Sequence, residues 1–203
     1  DATEPTVLGG YLNLGATLKG FSGAKGGSLV LLAPALHIGG GTAAANATVF
    51  EPEFFQTGGF TSFDLRGIGG VANADLDLYT PAVRVSAGTV IAPRASSYFV
   101  QADANATERL GFGVSLLDVG QRSATSLSLT ALGSRDGFNL HPIRGDLAVR
   151  GDLIVEAGAS ITTDPAAKIT LTGDTVNLQG SLVARGGAIT LKAGTNSNTL
   201  IPS

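Results

Sequence analysis

Short apolar triplets return every five to ten residues, most often six to eight, through the second half of this chain, joined by connections of two to seven residues. They read LAV (147–149), LIV (153–155), ASI (159–161), ITL (169–171), VNL (176–178), SLV (181–183) and ITL (189–191), each bounded by Gly, Asp, Asn or Pro. Period-two alternation is the pattern of a strand, and Gly or Asp at its ends is the chemistry of a corner. Connections this short cannot make parallel neighbours in a flat sheet, which needs a crossover of a dozen residues or more. A closed coil resolves the conflict: each strand lies above its counterpart one turn earlier, and inward side chains stack into a continuous core.

Self-similarity sets the length of a turn. AKITLTGD (167–174) matches GAITLKAG (187–194), with Ile169 and Ile189 twenty residues apart, and GGSLVLLAP (26–34) has the shape of GGAITLKAG (186–194). The expected fold is therefore all-β: a parallel β-helix, or β-solenoid, of about 20 residues per coil with loop insertions in the middle. Dividing the length by about twenty gives eight to ten turns, a rod on the order of 40 to 50 Å long. Residues 1–203 read as one β-helical segment of a longer protein, with first regular coils at 26–93, a less regular loop-bearing part at 94–125 and the most regular coils at 126–195. Inward candidates in the middle are Phe63, Leu65, Leu76, Leu78, Val83, Val85 and Val90. RASSYFVQADANATERLG (94–111) reads as an insert.

Composition agrees with dense turns. There are 29 glycines, 14% charged residues and 6% aromatics, with no tryptophan. A net charge of −3 without a Lys/Arg cluster gives no field for phosphate backbones and argues against a nucleic-acid partner. Zero cysteines exclude disulfides, thiolate metal sites and cysteine catalysis. The longest apolar run, SLVLLAPALHI (28–38), is far short of the roughly 20 residues that span a bilayer as a helix, so no membrane insertion is expected. The chain begins DATEPT, has no methionine and shows no charged-then-apolar leader, which reads as an excised or processed piece.

The stretch GDLIVEAGASITTDPAAKITLTGDTVNLQGSLVARGGAITLKAG resembles the repetitive body of the filamentous-haemagglutinin-like exoproteins of bacterial two-partner secretion. GGSLVLLAPALHIGG, FFQTGGFTSFDLRGIGG and PAVRVSAGTVIAPR carry the same texture. The resemblance covers most of the chain and is strongest over 145–195. It implies a right-handed parallel β-helix, a secreted, extracellular protein of the bacterial cell surface, export through an outer-membrane partner transporter used by the parent protein, and a role as adhesin or extended stalk. The asparagine-proline motifs of the family's amino-terminal secretion domain have no match here, so the piece reads as shaft or body.

Two Arg-Gly-Asp triplets are the sharpest local feature: Arg144-Gly145-Asp146 and Arg150-Gly151-Asp152. As receptor-binding residues they would need the arginine and aspartate splayed from an exposed turn, a cation for one pocket and a carboxylate for a metal in the other. The competing reading is corner chemistry, with Gly turning the chain and Asp bonding the backbone two residues on. Gly173-Asp174-Thr175 shows that corner without the arginine.

Other candidates weigh less. Asp75 and Asp77 alternate on one strand face about 7 Å apart, a separation compatible with an acid/base pair for glycoside hydrolysis, yet solvated charges opposite Leu76 and Leu78 explain them as well. GGVANAD and GGFTSFD lack the glycine spacing of a calcium nonapeptide, and no cofactor motif is present. His37 reads as an outer-face residue and His141 as extended chain. Asn46-Ala47-Thr48 and Asn105-Ala106-Thr107 fit the N-glycosylation pattern and read as loop residues. Phe50, Phe54, Phe55, Phe60 and Phe63 are either a ligand groove or the filling of a widened coil.

Three functions are therefore carried forward. The first is a structural and adhesive shaft segment, not an enzyme, with a host-cell receptor or glycan as partner. The second is a carbohydrate-binding or carbohydrate-cleaving β-helix. The third is a filament subunit joined end to end, because uncapped strand edges pair.

Overall fold

The computed structural model describes residues 10–73, 78–102, 110–133 and 149–194. In chain order its strands are β1 (Gly27–Ala33), β2 (Ala35–Ile38), β3 (Ala47–Phe50), β4 (Phe60–Gly67), β5 (Gly70–Asn73), β6 (Leu78–Thr80), β7 (Val83–Val85), β8 (Val90–Ile91) and β9 (Ser97–Ala102). They continue as β10 (Leu110–Ser115), β11 (Ser126–Ala131), β12 (Asp152–Val155), β13 (Ser160–Thr163), β14 (Lys168–Thr172), β15 (Thr175–Leu178), β16 (Ser181–Ala184) and β17 (Ala188–Lys192). One 3₁₀ segment, Pro52–Gln56, is the sole helical element among the described residues. The protein is all-β, and its sheets are mostly parallel.

Three parallel sheets carry the core. The first has the order β1-β4-β11-β14-β17, the second β15-β12-β7-β2-β3 and the third β16-β13-β8. From β11 onward the chain visits first, second and third sheet in that order and then begins again. Each strand is too short to bury a face alone, so stability comes from stacking like on like. In the first sheet Leu29, Phe63, Leu127, Ile169 and Ile189 occupy one ladder, and Leu31, Leu65, Leu129, Leu171 and Leu191 the next. The second sheet aligns Leu36, Val83, Leu153 and Val176, and the third Ile91, Ile161 and Leu182. The central members are fully buried, each worth about 2 kcal/mol in apolar transfer.

Corners bring backbones too close for side chains. A Cβ on Gly151 would lie 2.5 Å from the Ala131 carbonyl oxygen and 2.6 Å from the Gly133 nitrogen. Gly151 is a glycine because two corners touch there.

The ends of the sheets differ. At β1 and β3 they are covered by residues 10–25, whose Leu12, Leu14 and Leu18 pack on the core, and the Thr48 hydroxyl donates to the Leu12 carbonyl at 2.8 Å. At the other end Ile189 and Leu191 are 46% and 50% exposed, although Ile169 and Leu171, one strand away, are at 0%.

Three expectations need correction. The first sheet is five strands deep among the described residues, not eight to ten, because hairpins and long connections consume chain that was assumed to make turns. The middle also holds two antiparallel pairs, β5 with β6 and β9 with β10, the latter within the loop-bearing part at 94–125. Val90 points outward at 57% exposed while Ile91 is buried, because the alternation of Val83 and Val85 keeps its parity through the Ala87-Gly88 corner instead of shifting by one residue there. Thr48 is a buried strand residue rather than part of a loop. Phe63, Leu65, Val83 and Val85 do face the core. Leu76 lies outside the described residues.

Candidate functional site

The second Arg-Gly-Asp triplet sits where the first and second sheets meet, on the step into β12. The two residues after Gly151 enter the strand at once: Asp152 pairs with Thr175 and Leu153 with Val176. This places Asp152 in the ladder with its side chain only 9% exposed, while the Arg150 side chain remains 44% exposed. The guanidinium closes on its own triplet, Nε donating to Oδ1 at 2.7 Å and Nη2 to Oδ2 at 3.0 Å. Such a bidentate pair is the strong geometry for arginine and carboxylate. A receptor that needs the two heads apart would have to break it.

The corner reading holds in form but not in detail. Asp152 does not bond the backbone two residues on; its carboxylate holds Arg150. Asp174, in the position without an arginine, reaches across to the neighbouring strand and accepts the Gly151 N–H at 2.9 Å. Arg144, Gly145 and Asp146 lie outside the described residues, as do Asp75, Asp77, His141, Asn105 and Thr107.

A second polar cluster covers the outer face of the second sheet. His37 and Arg84 are cross-strand neighbours on the face opposite Leu36 and Ile38, so His37 does lie on the outer side. It is nevertheless only 3% exposed, with Nε2 2.9 Å from the Ser86 hydroxyl and 3.0 Å from the Gly40 carbonyl. Glu156 accepts from Arg84 Nε at 2.8 Å and from the Ala87 N–H at 2.8 Å. The Ala87 N–H does most to hold the Glu156 carboxyl below the ordinary glutamate value, against the burial that would raise it; Arg84 adds a hydrogen bond and charge. A histidine beside a serine invites a nucleophile reading. Here the acid is bound to Arg84 and Ala87 rather than to His37, and Ser86 at 7% exposed has no room for a substrate.

The phenylalanines are mostly core. Phe55 and Phe63 are fully buried with ring centroids 5.3 Å apart, Phe50 lies 4.6 Å from Phe54, and Phe60 lies 5.9 Å from Phe63. The cluster fills the space under the 3₁₀ segment. Beside it runs a half-open groove of about 370 Å³, lined by Leu18, Lys19, Phe21, Phe54, Thr57 and Phe60 among others. Sequence spacing located the phenylalanines, but nothing in it marked residues 16–21 as the groove's second wall.

Arginine pairs with four of the described carboxylates. Arg66 pairs with Asp64, Arg84 with Glu156, Arg122 with Asp164 and Arg150 with Asp152. Among the described residues no group of three or more His, Asp or Glu could hold a metal ion. No helix there is long and apolar enough to cross a membrane. Comparison with protein-family models, with curated proteins and with solved structures returned no match.

Proposed function

We propose that this chain is a segment of a right-handed parallel β-helix that serves as the structural and adhesive shaft of a large secreted bacterial surface protein of the filamentous-haemagglutinin-like kind. The observation that carries the reading is the pair of first-sheet ladders from Leu29 to Ile189 and from Leu31 to Leu191. Five strands spread over most of the chain put like residues in one register. An ordered return through three sheets supports a coil, and the resemblance supplies its handedness and its secretion through a partner transporter. The arginine-neutralised carboxylates fit a surface built for shape and reach better than a hydrolase, which needs carboxylates free to trade protons.

A carbohydrate-binding β-helix is the second reading, favoured by the groove beside Phe54 and Phe60, whose rings, Thr17 and Thr57 hydroxyls and Lys19 offer stacking and hydrogen bonds to a sugar. End-to-end filament growth has a partner edge at β17, but residues 10–25 occupy the opposite face.

Two measurements test the shaft. Nitroxide labels on Val30→Cys and Thr190→Cys, outward positions four strand spacings apart, should read about 19 Å; a much longer separation sinks the stacked arrangement. Attachment of integrin-bearing cells to the coated chain should be unchanged by Asp146→Ala with Asp152→Ala once circular dichroism shows both proteins folded. Loss of attachment would move the function to the triplets, and saturable binding of a defined oligosaccharide at the groove would favour the second reading.

A further inference from the structure

The β9–β10 hairpin stands apart from the three parallel sheets and exposes a face that they do not need. Its strands pair antiparallel without a register shift, Tyr98 opposite Val114 and Val100 opposite Phe112, so these four side chains share one face. Their exposures are 40%, 48%, 58% and 75%. Leu116 continues the alternation and is 44% exposed. On the reverse face Phe99 lies over Gly113, where a Cβ would run into its ring. The hairpin is fixed at its base, where the Tyr98 N–H donates to the Ser22 carbonyl at 2.9 Å and the Tyr98 ring lies 5.3 Å from Phe21.

Exposed strands are ordinarily guarded by charge, and lysine above all. Residues 95–102 and 110–117 contain none. Five neighbouring apolar side chains leave a patch of about 450 Å², within the range of about 300 to 600 Å² for the largest, often functional, apolar patch of a monomer.

The chemistry of the face selects its occupant. A lipid surface calls for tryptophan and flanking basic residues; the chain has no tryptophan, these strands have no Lys or Arg, and the net charge of −3 opposes an anionic bilayer. A glycan needs several aligned polar groups, and this face offers one, the Tyr98 hydroxyl. An identical apolar face needs neither flanking charge nor aligned polar groups, and an isologous contact uses the same patch on both copies. Two such faces together remove about 900 Å² from water, just short of the ~1,200 Å² at which stable specific interfaces begin, so the contact is weak and reversible.

We propose that the β9–β10 hairpin is a lateral self-association surface, packing through Tyr98, Val100, Phe112 and Val114 against the same face of a second copy of this chain. It joins copies through the hairpin rather than through the open edge at β17, and it holds whether or not the sheets form a β-helix.

The chain's lack of cysteine makes the test clean. Val100→Cys and Val114→Cys are each oxidised with copper phenanthroline, with Val90→Cys, 57% exposed on the third sheet, as control. A covalent dimer from at least one hairpin variant and none from the control is expected. In sedimentation velocity the cysteine-free chain should dimerise with a Kd in the micromolar range, weakened at least about tenfold by Phe112→Thr, which keeps strand propensity. A chain that stays monomeric to about 1 mM overturns the proposal, and so does a dimer indifferent to Phe112→Thr. Flotation of the monomer with neutral phosphatidylcholine vesicles, abolished by the same change, would assign the face to lipid instead.

Discussion

Arg122 and Asp164 meet across 42 residues of sequence in a pair whose side chains are 7% and 9% exposed, Nε donating to Oδ2 at 2.8 Å and Nη2 to Oδ1 at 2.6 Å. Arg122 Nη1 also donates to the Leu117 carbonyl at 2.8 Å, so one guanidinium ties the connection after β10 to the corner after β13. The Asp164 hydrogen bond raises the Arg122 pKa further above its ordinary value, against burial. Removing one partner leaves a buried charge uncompensated. Arg122→Ala should therefore destabilise by about 3 kcal/mol in urea denaturation, and limited proteolysis should cut residues 116–125 faster. An unchanged denaturation midpoint would mean that the pair is dispensable.

The touching corners give a sharper contrast. Gly151→Ala forces a methyl against the Ala131 carbonyl and the Gly133 nitrogen, backbone atoms that cannot rotate away, and should cost about 2 to 4 kcal/mol. Gly40→Ala meets nothing within 4 Å and has no positive φ, so its effect should stay within about 0.5 kcal/mol. Equal effects in paired denaturation curves would refute the close-approach account.

Along one ladder the same side chain should matter unequally. Leu129→Ala and Leu171→Ala empty fully buried positions and should cost about 3 kcal/mol each, whereas Leu191→Ala, at a position 50% exposed, should cost about 1 kcal/mol or less. Thermal unfolding ranks them; a Leu191 effect as large as Leu171 would show that something covers the end strand in solution.

Glu156 sets an acid dependence. Its folded-state pKa lies below the ordinary 4.5, so the unfolded chain binds its proton more tightly. The carboxylate's contribution is fully present above 4.5 and is lost as pH falls through the depressed value. Glu156→Gln should lower stability at neutral pH and flatten the decline of stability with acid. A variant whose acid unfolding curve parallels the parent's would remove Glu156 from the account.

Legibility in the sequence followed locality. The strands from Asp152 to Lys192 are visible because each apolar triplet and its corner are contiguous, and Ile169 over Ile189 follows from one short period. The pairing of Phe63 with Leu127 is not visible, since the chain makes a long excursion between them and no local rule counts across it. Val90 is the converse case: a corner invites a shift in alternation, whereas the buried Val83, Val85 and Ile91 keep one parity across it. His37 shows the limit for sites. Spacing placed it on the outer face, while its burial depends on the Gly40 carbonyl, just past β2, and on Ser86, just past β7 and 49 residues away. Arg150 closing on Asp152 is a two-residue contact that the triplet itself could have announced.

Ile189 follows Ile169 after 20 residues in the first sheet, yet Leu127 follows Phe63 only after 64, and both steps advance the sheet by one strand. Reach is thus metered by the number of returns the chain makes, and the residues spent between returns are free currency for ornament. A lineage could lengthen, trim or exchange the excursions, the hairpin of β9 and β10 included, without altering how far the molecule extends, and could change that extent by duplicating one short period without disturbing what it carries.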